Sequence, residues 1–354
     1  MKIHRSLILC SLSLALLLCG VLLHEKTDVP TALPTDTTPQ STSTPPAKEA
    51  TGEEKRVIKY IDFTPTKDAL NDALAAHLSA RDSGKECPFV DLLALLATRY
   101  GGDFSSYRKK DLTDYAEKLS AGTSPEDCVQ NGKLLAYYKE AYSAVLSGMV
   151  GEYTEVKISE GGNETAEVRY GLRAFSPIAA GYSYSDYDDF GAGRSYGYKR
   201  SHLGHDMLGS VGTPIIAVES GTVTSLGWNQ YGGWRIGITS FDGLRYYYYA
   251  HLRRGHPYCD LYEGKIVHAG EVIGYLGMTG YSAKEDVNNI NVPHLHIGLQ
   301  IIFEPEQKDG WNQIWVDMYA LTDFLSQNRA RTTYLENTKE HISHRYDVFA
   351  ETPD

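Results

Sequence analysis

The stretch that decides the fold is GTPIIAVESGTVTSLG (212–227), and four more runs of the same kind follow it. Each run is short, alternates apolar and polar residues or is rich in β-branched residues, and ends at glycine-containing turns. The further runs are GWRIGITSF (233–241), LRYYYYAHL (244–252), GKIVHAGEVIGYLG (264–277) and HLHIGLQII (294–302). No convincing helix interrupts them before residues 316–325, so residues 177–325 are predicted to form an antiparallel all-β domain.

Residues 56–158 have a different pattern and are predicted to form a small helical domain. Leucines recur at four-residue spacing after Thr66, a residue type that caps helices, and three further apolar stretches end at glycines or continue to residue 151. This region holds no convergent set of catalytic residue types, so we expect a positioning or partner-binding domain. Cys87 and Cys128 either form a disulfide in an oxidising compartment or remain buried thiols.

The N-terminus has the pattern of an export signal. Lys2 and Arg5 precede an apolar run from Leu7 to Leu23 that is just long enough to span a bilayer. We expect residues 1–26 to be a retained membrane anchor, with a cleaved signal peptide or a lipoprotein at Cys19 as alternatives.

A linker separates this anchor from the helical domain. Residues 27–55 are rich in proline, threonine and serine and cannot bury enough apolar surface to fold. A connector (159–176) and a polar tail (326–354) complete an α+β multidomain chain. The layout predicts a single-pass protein of the cell membrane with its β domain outside the cytoplasm, or a secreted protein if the signal is cleaved.

Composition narrows the classes of partner. The net charge of −11 argues against nucleic acid, because binding to phosphates needs a basic surface. Hydrophobic residues make up 42% of the chain, which excludes wholesale disorder. Five cysteines are too few for a disulfide scaffold.

Two segments of the β region carry metal-ligand residue types at short spacing. In HLGHD, His202 and Asp206 flank Gly204, whose small size allows the tight turn that would bring both side chains to one ion. In HLH, the rings of His294 and His296 point to one face of a strand. Each motif alone is weak evidence for a metal site, but the presence of both in one β domain is a far more specific indication.

A third histidine follows the tyrosine-rich strand. By the two-residue period of a strand, His251 is expected to share a face with Tyr247 and Tyr249. A single histidine on a strand is more often a packed or surface residue than a ligand, so this position gains weight only beside the other two motifs.

Together these residues resemble the lysostaphin/LytM-type zinc metallopeptidases, which cut peptide bonds in bacterial peptidoglycan. The matching stretches are HLGHDMLGSVGTPIIAVESGTVT, GLRYYYYAHL, GKIVHAGEVIGYLGMTG and PHLHIGL. The resemblance implies that His202, Asp206 and His296 bind one zinc ion and that His251 and His294 are catalytic. Three protein ligands would leave a fourth zinc position open, as in catalytic sites.

The resemblance therefore predicts a membrane-tethered, extracytoplasmic zinc metalloendopeptidase that acts on peptidoglycan peptide stems or cross-bridges. The alternative is a scaffold of the same fold that binds peptidoglycan or activates a partner without cleaving. If the helical domain binds a partner instead of positioning the β domain, that partner is expected to be a protein.

Some positions depart from the family pattern. His205 stands where an apolar residue is usual and is expected to point away from the ion. The segment 281–293 is longer than usual and is expected to lie beside the cleft. The residues after His296 are IGLQ and lack the usual acidic position. Glu219, in a predicted turn, is expected to be solvated.

Overall fold

The computed structural model describes residues 60–159, 162–197, 199–310 and 312–348. Its helices confirm the small helical region. Thr66 caps the first helix by accepting a hydrogen bond from the Ala69 amide at 3.3 Å, and the second helix ends at Gly101 in the left-handed conformation. The α-helices are α1 (Lys67–Asp82), α2 (Phe89–Tyr100), α3 (Lys109–Ser120), α4 (Gly132–Leu146) and α5 (Tyr319–Leu325).

The rest of the described chain is built from short antiparallel strands. In chain order they are β1 (Val150–Ile158), β2 (Glu164–Leu172), β3 (Gly193–Arg194), β4 (Arg200–Ser201), β5 (His205–Leu208), β6 (Pro214–Ile216), β7 (Gly221–Asn229), β8 (Gly233–Ser240), β9 (Arg245–Ala250), β10 (Ile266–Val267), β11 (Val272–Tyr275), β12 (His294–Ile301), β13 (Ile314–Val316), β14 (Thr332–Leu335), β15 (Glu340–Ser343) and β16 (Arg345–Val348).

A seven-stranded antiparallel sheet organises the β region and confirms the sheet predicted from the glycine-bounded runs. Its order is β10-β7-β8-β9-β12-β13, and β5 also pairs with β12. In this register His296 lies opposite Asp206 on one side and opposite Ala250 on the other. The sheet therefore brings residues that are far apart in sequence to one place.

The C-terminal segment is also part of the fold. Within the stretch expected to be a polar tail, β14 and β15 form a hairpin and β16 pairs with β1, placing Val348 opposite Thr154. These strands extend the structure beyond the last helix.

The helices and the large sheet share one hydrophobic core. Arg245, at the start of β9, is almost fully buried and donates to the Ala144 carbonyl and to Ser147 Oγ at the end of α4. Its Nε also contacts Glu219 Oε2 at 2.8 Å, and Tyr247 donates to the same oxygen. The expectation that Glu219 is solvated is wrong, because this carboxylate is only 4% exposed and neutralises a buried guanidinium.

The expected membrane localisation is corrected by the structure. No helix in the described ranges is both long and apolar enough to cross a bilayer, so the prediction of a single-pass membrane protein is wrong for this part of the chain. The residues 1–26 and 27–55, assigned to an anchor and a linker, lie outside the described residues.

Cys87 and Cys128 are free thiols, so the disulfide is not formed.

Candidate metal centre

Three ligand atoms meet at one end of the large sheet. His202 Nε2 lies 3.0 Å from Asp206 Oδ1 and 2.8 Å from His296 Nδ1, and the last two atoms are 2.9 Å apart. Zinc bonds to imidazole nitrogen and carboxylate oxygen measure about 2.0–2.2 Å, which separates tetrahedral ligand atoms by roughly 3.3 Å. Two nitrogens and one carboxylate oxygen at this spacing fit a zinc ion with a fourth position left over.

Strand pairing and one glycine hold these ligands together. Asp206 and His296 face each other across β5 and β12. A Cβ atom on Gly204 would lie 2.5 Å from Cε1 of His296 and 2.7 Å from the Ile297 carbonyl oxygen. Glycine is therefore required here mainly because the His296 ring packs against its backbone, and not only because the chain turns.

The hydrogen bonds of His202 select the nitrogen that faces the centre. Its Nδ1 lies 3.2 Å from the Asp189 carbonyl oxygen, which can only accept, so Nδ1 carries the hydrogen. The lone pair of Nε2 is then directed at Asp206 and His296, as a metal ligand requires.

An arginine supports the carboxylate ligand from outside the cluster. Arg194 Nη2 lies 2.6 Å from Asp189 Oδ2 and 3.0 Å from Asp206 Oδ2. Burial alone would raise the pKa of Asp206, but its contacts with the His202 and His296 imidazoles hold that pKa well below its usual range. Asp189 and Arg194 belong to no motif, so no signal in the sequence marks either residue as part of the site.

His251 reaches the same centre through an unusual backbone conformation. Its φ is 60°, and its Nδ1 donates to the Thr279 carbonyl oxygen at 2.9 Å. The prediction that it shares a face with Tyr247 and Tyr249 is wrong, because the left-handed residue ends the strand alternation. Those two tyrosines are fully buried on the opposite face, whereas His251 lines the cleft. Burial, together with the nearby His294 and His296, lowers the pKa of His251 to about 3.

His294 completes the group of five side chains. Its Nδ1 donates to the Val292 carbonyl oxygen at 2.8 Å, and its Nε2 lies 3.7 Å from Asp206 Oδ1. The rings of His294 and His251 are 4.7 Å apart between centroids. The structure thus brings together all five residues singled out from the sequence.

His205 points away from this centre. Its Nε2 lies 2.9 Å from Asp186 Oδ2, and its ring packs edge-on against Tyr319 at 5.5 Å. It does not compete for the fourth ligand position.

The five side chains open into a cleft of about 870 Å³. Tyr281, Arg200 and Tyr231 line one side of the cleft; Tyr196 stacks on Tyr281 at 4.6 Å, and the guanidinium of Arg200 lies 5.1 Å from the Tyr231 ring. Tyr281 begins the long segment 281–293, and Asn289, Ile290 and Asn291 of that segment also line the cleft. Tyr248 and Trp315 form part of the floor.

Comparison with known proteins agrees with this geometry. Residues 200–309 match peptidase family M23. The L-Ala–D-Glu endopeptidase of Bacillus subtilis is 34% identical over 184 residues, which are 51% of this chain and 51% of that protein. Lysostaphin of Staphylococcus simulans is 38% identical over 96 residues, which are 27% of this chain and 17% of that protein. The chain therefore spans about half or less of the length of these curated relatives.

The fold has a counterpart among solved structures. A putative glycyl-glycine endopeptidase lytM from Ruminococcus gnavus superposes with a TM-score of 0.51 and 22% identity, covering 77% of this chain and 94% of that one. At this identity the likeness concerns the fold alone. Residues 200–309 therefore form a domain that matches peptidase family M23, and lysostaphin is among the proteins to which it is similar.

Proposed function

We propose that this protein is a zinc-dependent endopeptidase that hydrolyses peptide bonds in bacterial peptidoglycan. The observation that carries the proposal is the convergence of His202, Asp206, His296, His251 and His294 on one point of an open cleft. The named activities of the relatives, an L-Ala–D-Glu endopeptidase and lysostaphin, support peptidoglycan as the substrate.

The first three residues are proposed to hold the ion. His202 and His296 offer neutral nitrogen lone pairs, and Asp206 offers an ionised oxygen that Arg194 orients. A zinc ion held there supplies Lewis-acid chemistry, polarising a carbonyl group and making water more acidic.

The other two histidines are proposed to handle water and charge. Because both donate Nδ1–H to backbone carbonyls, the Nε2 atoms of His251 and His294 are free to accept a hydrogen bond from the attacking water. Once an Nε2 has accepted a proton, it can donate to the oxyanion that develops on the peptide carbonyl. Two such groups on one side of the centre suit peptide hydrolysis.

The helical region is proposed to steady the catalytic sheet. Arg245 joins the end of α4 to β9, the strand that leads directly to His251. A protein partner for the helical region remains a prediction.

The proposal is tested by mass spectrometry of fragments released from purified peptidoglycan by the full chain with zinc. We expect muropeptides with a newly formed amino terminus, no release after chelation, and recovery when zinc is restored. His256→Ala, which changes an exposed histidine outside the cleft, is the matched control and should keep activity. The masses of the products also identify the bond that is cut.

If the protein is a non-cleaving scaffold, the opposite result is expected in this experiment. Such a protein would bind purified peptidoglycan and release nothing, whether or not zinc is present. Binding without release by a zinc-loaded chain would overturn the enzymatic proposal.

A further inference from the structure

An arginine lies in the same cross-strand row as the metal-ligand histidine. His296 on β12 pairs with Ala250 on β9. On the other side of β9, Ile236 of β8 pairs with Tyr249, and this register places Arg235 of β8 opposite Ala250. Neighbouring strands are 4.7–4.9 Å apart, so the backbones at Arg235 and His296 are separated by roughly 10 Å. Both side chains line the cleft.

Arg235 has no carboxylate partner among the described residues, in contrast to Arg194 and Arg245. One of its terminal nitrogens donates to Ser225 Oγ, but its Nε–H is buried without a hydrogen-bond partner among the described residues. No carboxylate in the described ranges lies within ion-pair distance of Arg235, whereas Arg194 contacts Asp189 and Asp206. Because partial burial of a guanidinium without a carboxylate partner is unfavourable, an anionic group bound in the cleft would stabilise Arg235.

The surroundings of Arg235 are also basic. Lys308 lies 5.4 Å from the ring of Tyr246, which lines the same end of the cleft. Asp309 lines this end too, but it forms no ion pair with Arg235 or Lys308 in the described structure. In the described part of the chain neither Arg235 nor Lys308 has a carboxylate partner, although the net charge of the whole chain is −11.

Building on the proposed function, we infer that the cleft binds a peptide carrying a free carboxylate and that Arg235 receives this carboxylate. An extended peptide advances 3.3–3.6 Å per residue, so the separation of about 10 Å places the acidic group within about three residues of the bond that is cut. Arginine pairs with carboxylates through charge-assisted hydrogen bonds. A bridge made only of glycine offers no such group, so this subsite selects acidic stem peptides over neutral bridges.

The test compares two stem peptides that differ in one group. One has a free α-carboxylate on its D-glutamyl residue, and the other has a carboxamide there. Binding is measured by titration calorimetry with the zinc-loaded, full-length His294→Ala variant, and cleavage is measured with the wild-type chain. We expect the acid to bind roughly 10- to 100-fold more tightly than the amide, in line with a charge-assisted hydrogen bond.

Three variants test whether Arg235 causes the preference for the acid over the amide. Arg235→Gln should remove it, and Arg235→Lys should keep part of it because the charge is retained. Arg254→Gln is the matched control, since Arg254 is exposed and lies outside the cleft, and it should change nothing. Thermal unfolding of each variant checks that the fold is intact.

The outcomes separate this inference from the proposed function. Equal binding of acid and amide, a preference that survives Arg235→Gln, or no measurable binding of either peptide overturns the carboxylate site. If the preference depends on Arg235 but the wild type cleaves neither peptide, the carboxylate site stands and the endopeptidase proposal falls.

Discussion

Arg194 Nη2 contacts Asp206 Oδ2 at 3.0 Å, while Oδ1 of the same carboxylate faces His202 and His296. Arg194 also contacts Asp189, whose backbone carbonyl accepts the Nδ1–H of His202. One arginine and one aspartate therefore orient two of the three ligand residues. Loss of a group that orients a ligand in this way typically lowers metal affinity about 10- to 100-fold.

The first prediction concerns this support. Arg194→Gln removes the charge that orients Asp206 and should weaken zinc binding roughly 10- to 100-fold, because the carboxylate can then rotate away. The measurement is a competition titration against a zinc-binding dye. Arg169→Gln, which changes an exposed arginine on β2 that pairs with Glu155 and Glu167, is the control and should bind zinc like the wild type. Unchanged affinity in Arg194→Gln would show that the contact has no part in metal binding.

A second prediction separates the ligands from the catalytic histidines. Asp206→Ala removes the one anionic ligand and should abolish stoichiometric zinc binding. His294→Ala leaves all three ligands in place, so it should retain the metal while cleavage falls by a factor on the order of 10² or more. Metal content by elemental analysis and muropeptide release are measured on the same preparations. Full turnover by His294→Ala would contradict the role proposed for that residue.

Sequence reasoning succeeded where a local rule applies. The pairing of His294 with His296 follows from the two-residue period of a strand, and the short spacing of His202 and Asp206 suggested a shared ion. It failed where the contact depends on distant parts of the chain. The burial of Glu219 requires Arg245, and the support of Asp206 requires Arg194 on the short strand β3, which no motif marks.

The alternation of side chains along a strand gave a wrong prediction for His251. Alternation along β9 predicts that His251 faces Tyr247 and Tyr249, yet a φ of 60° turns its side chain to the other face. Gly280 lies against the imidazole in this position, since a Cβ there would lie 3.0 Å from His251 Nδ1. A left-handed non-glycine residue cannot be inferred from strand periodicity and commonly marks a functional site.

A third prediction follows from the packing of Gly204. Gly204→Ala would place a methyl group within 2.6 Å of two atoms of the His296 ring and should displace that ligand, weakening zinc binding and lowering thermal stability. Gly193→Ala is the matched control, because no atom lies within 4 Å of a Cβ added there. Zinc titration measures the affinity for the metal, and calorimetric unfolding measures the thermal stability. Wild-type zinc affinity in Gly204→Ala would mean that the ring can move aside without loss.

The fourth prediction concerns the C-terminal strand and the pH dependence of stability. The side chain of Asp347 on β16 is fully buried, and it contacts Arg345 at 3.0 Å, while Arg345 also pairs with Glu155. Burial raises the pKa of Asp347 to about 7, with Glu155 adding to the shift and Arg345 opposing it. In the unfolded chain an aspartate titrates near 3.9.

Between these two pKa values the folded protein binds more protons than the unfolded chain. Its free energy of unfolding should therefore fall as the pH rises from about 4 to about 7, by at most roughly 1.4 kcal/mol per pH unit from this group, and level off above that. Asp347→Asn removes the titrating group and should flatten this slope. Urea unfolding at pH 5 and pH 8 measures the difference, with Asp114→Asn, at a half-exposed site on α3, as the control. Equal slopes in the wild type and Asp347→Asn would show that Asp347 is ionised in the folded protein throughout this range.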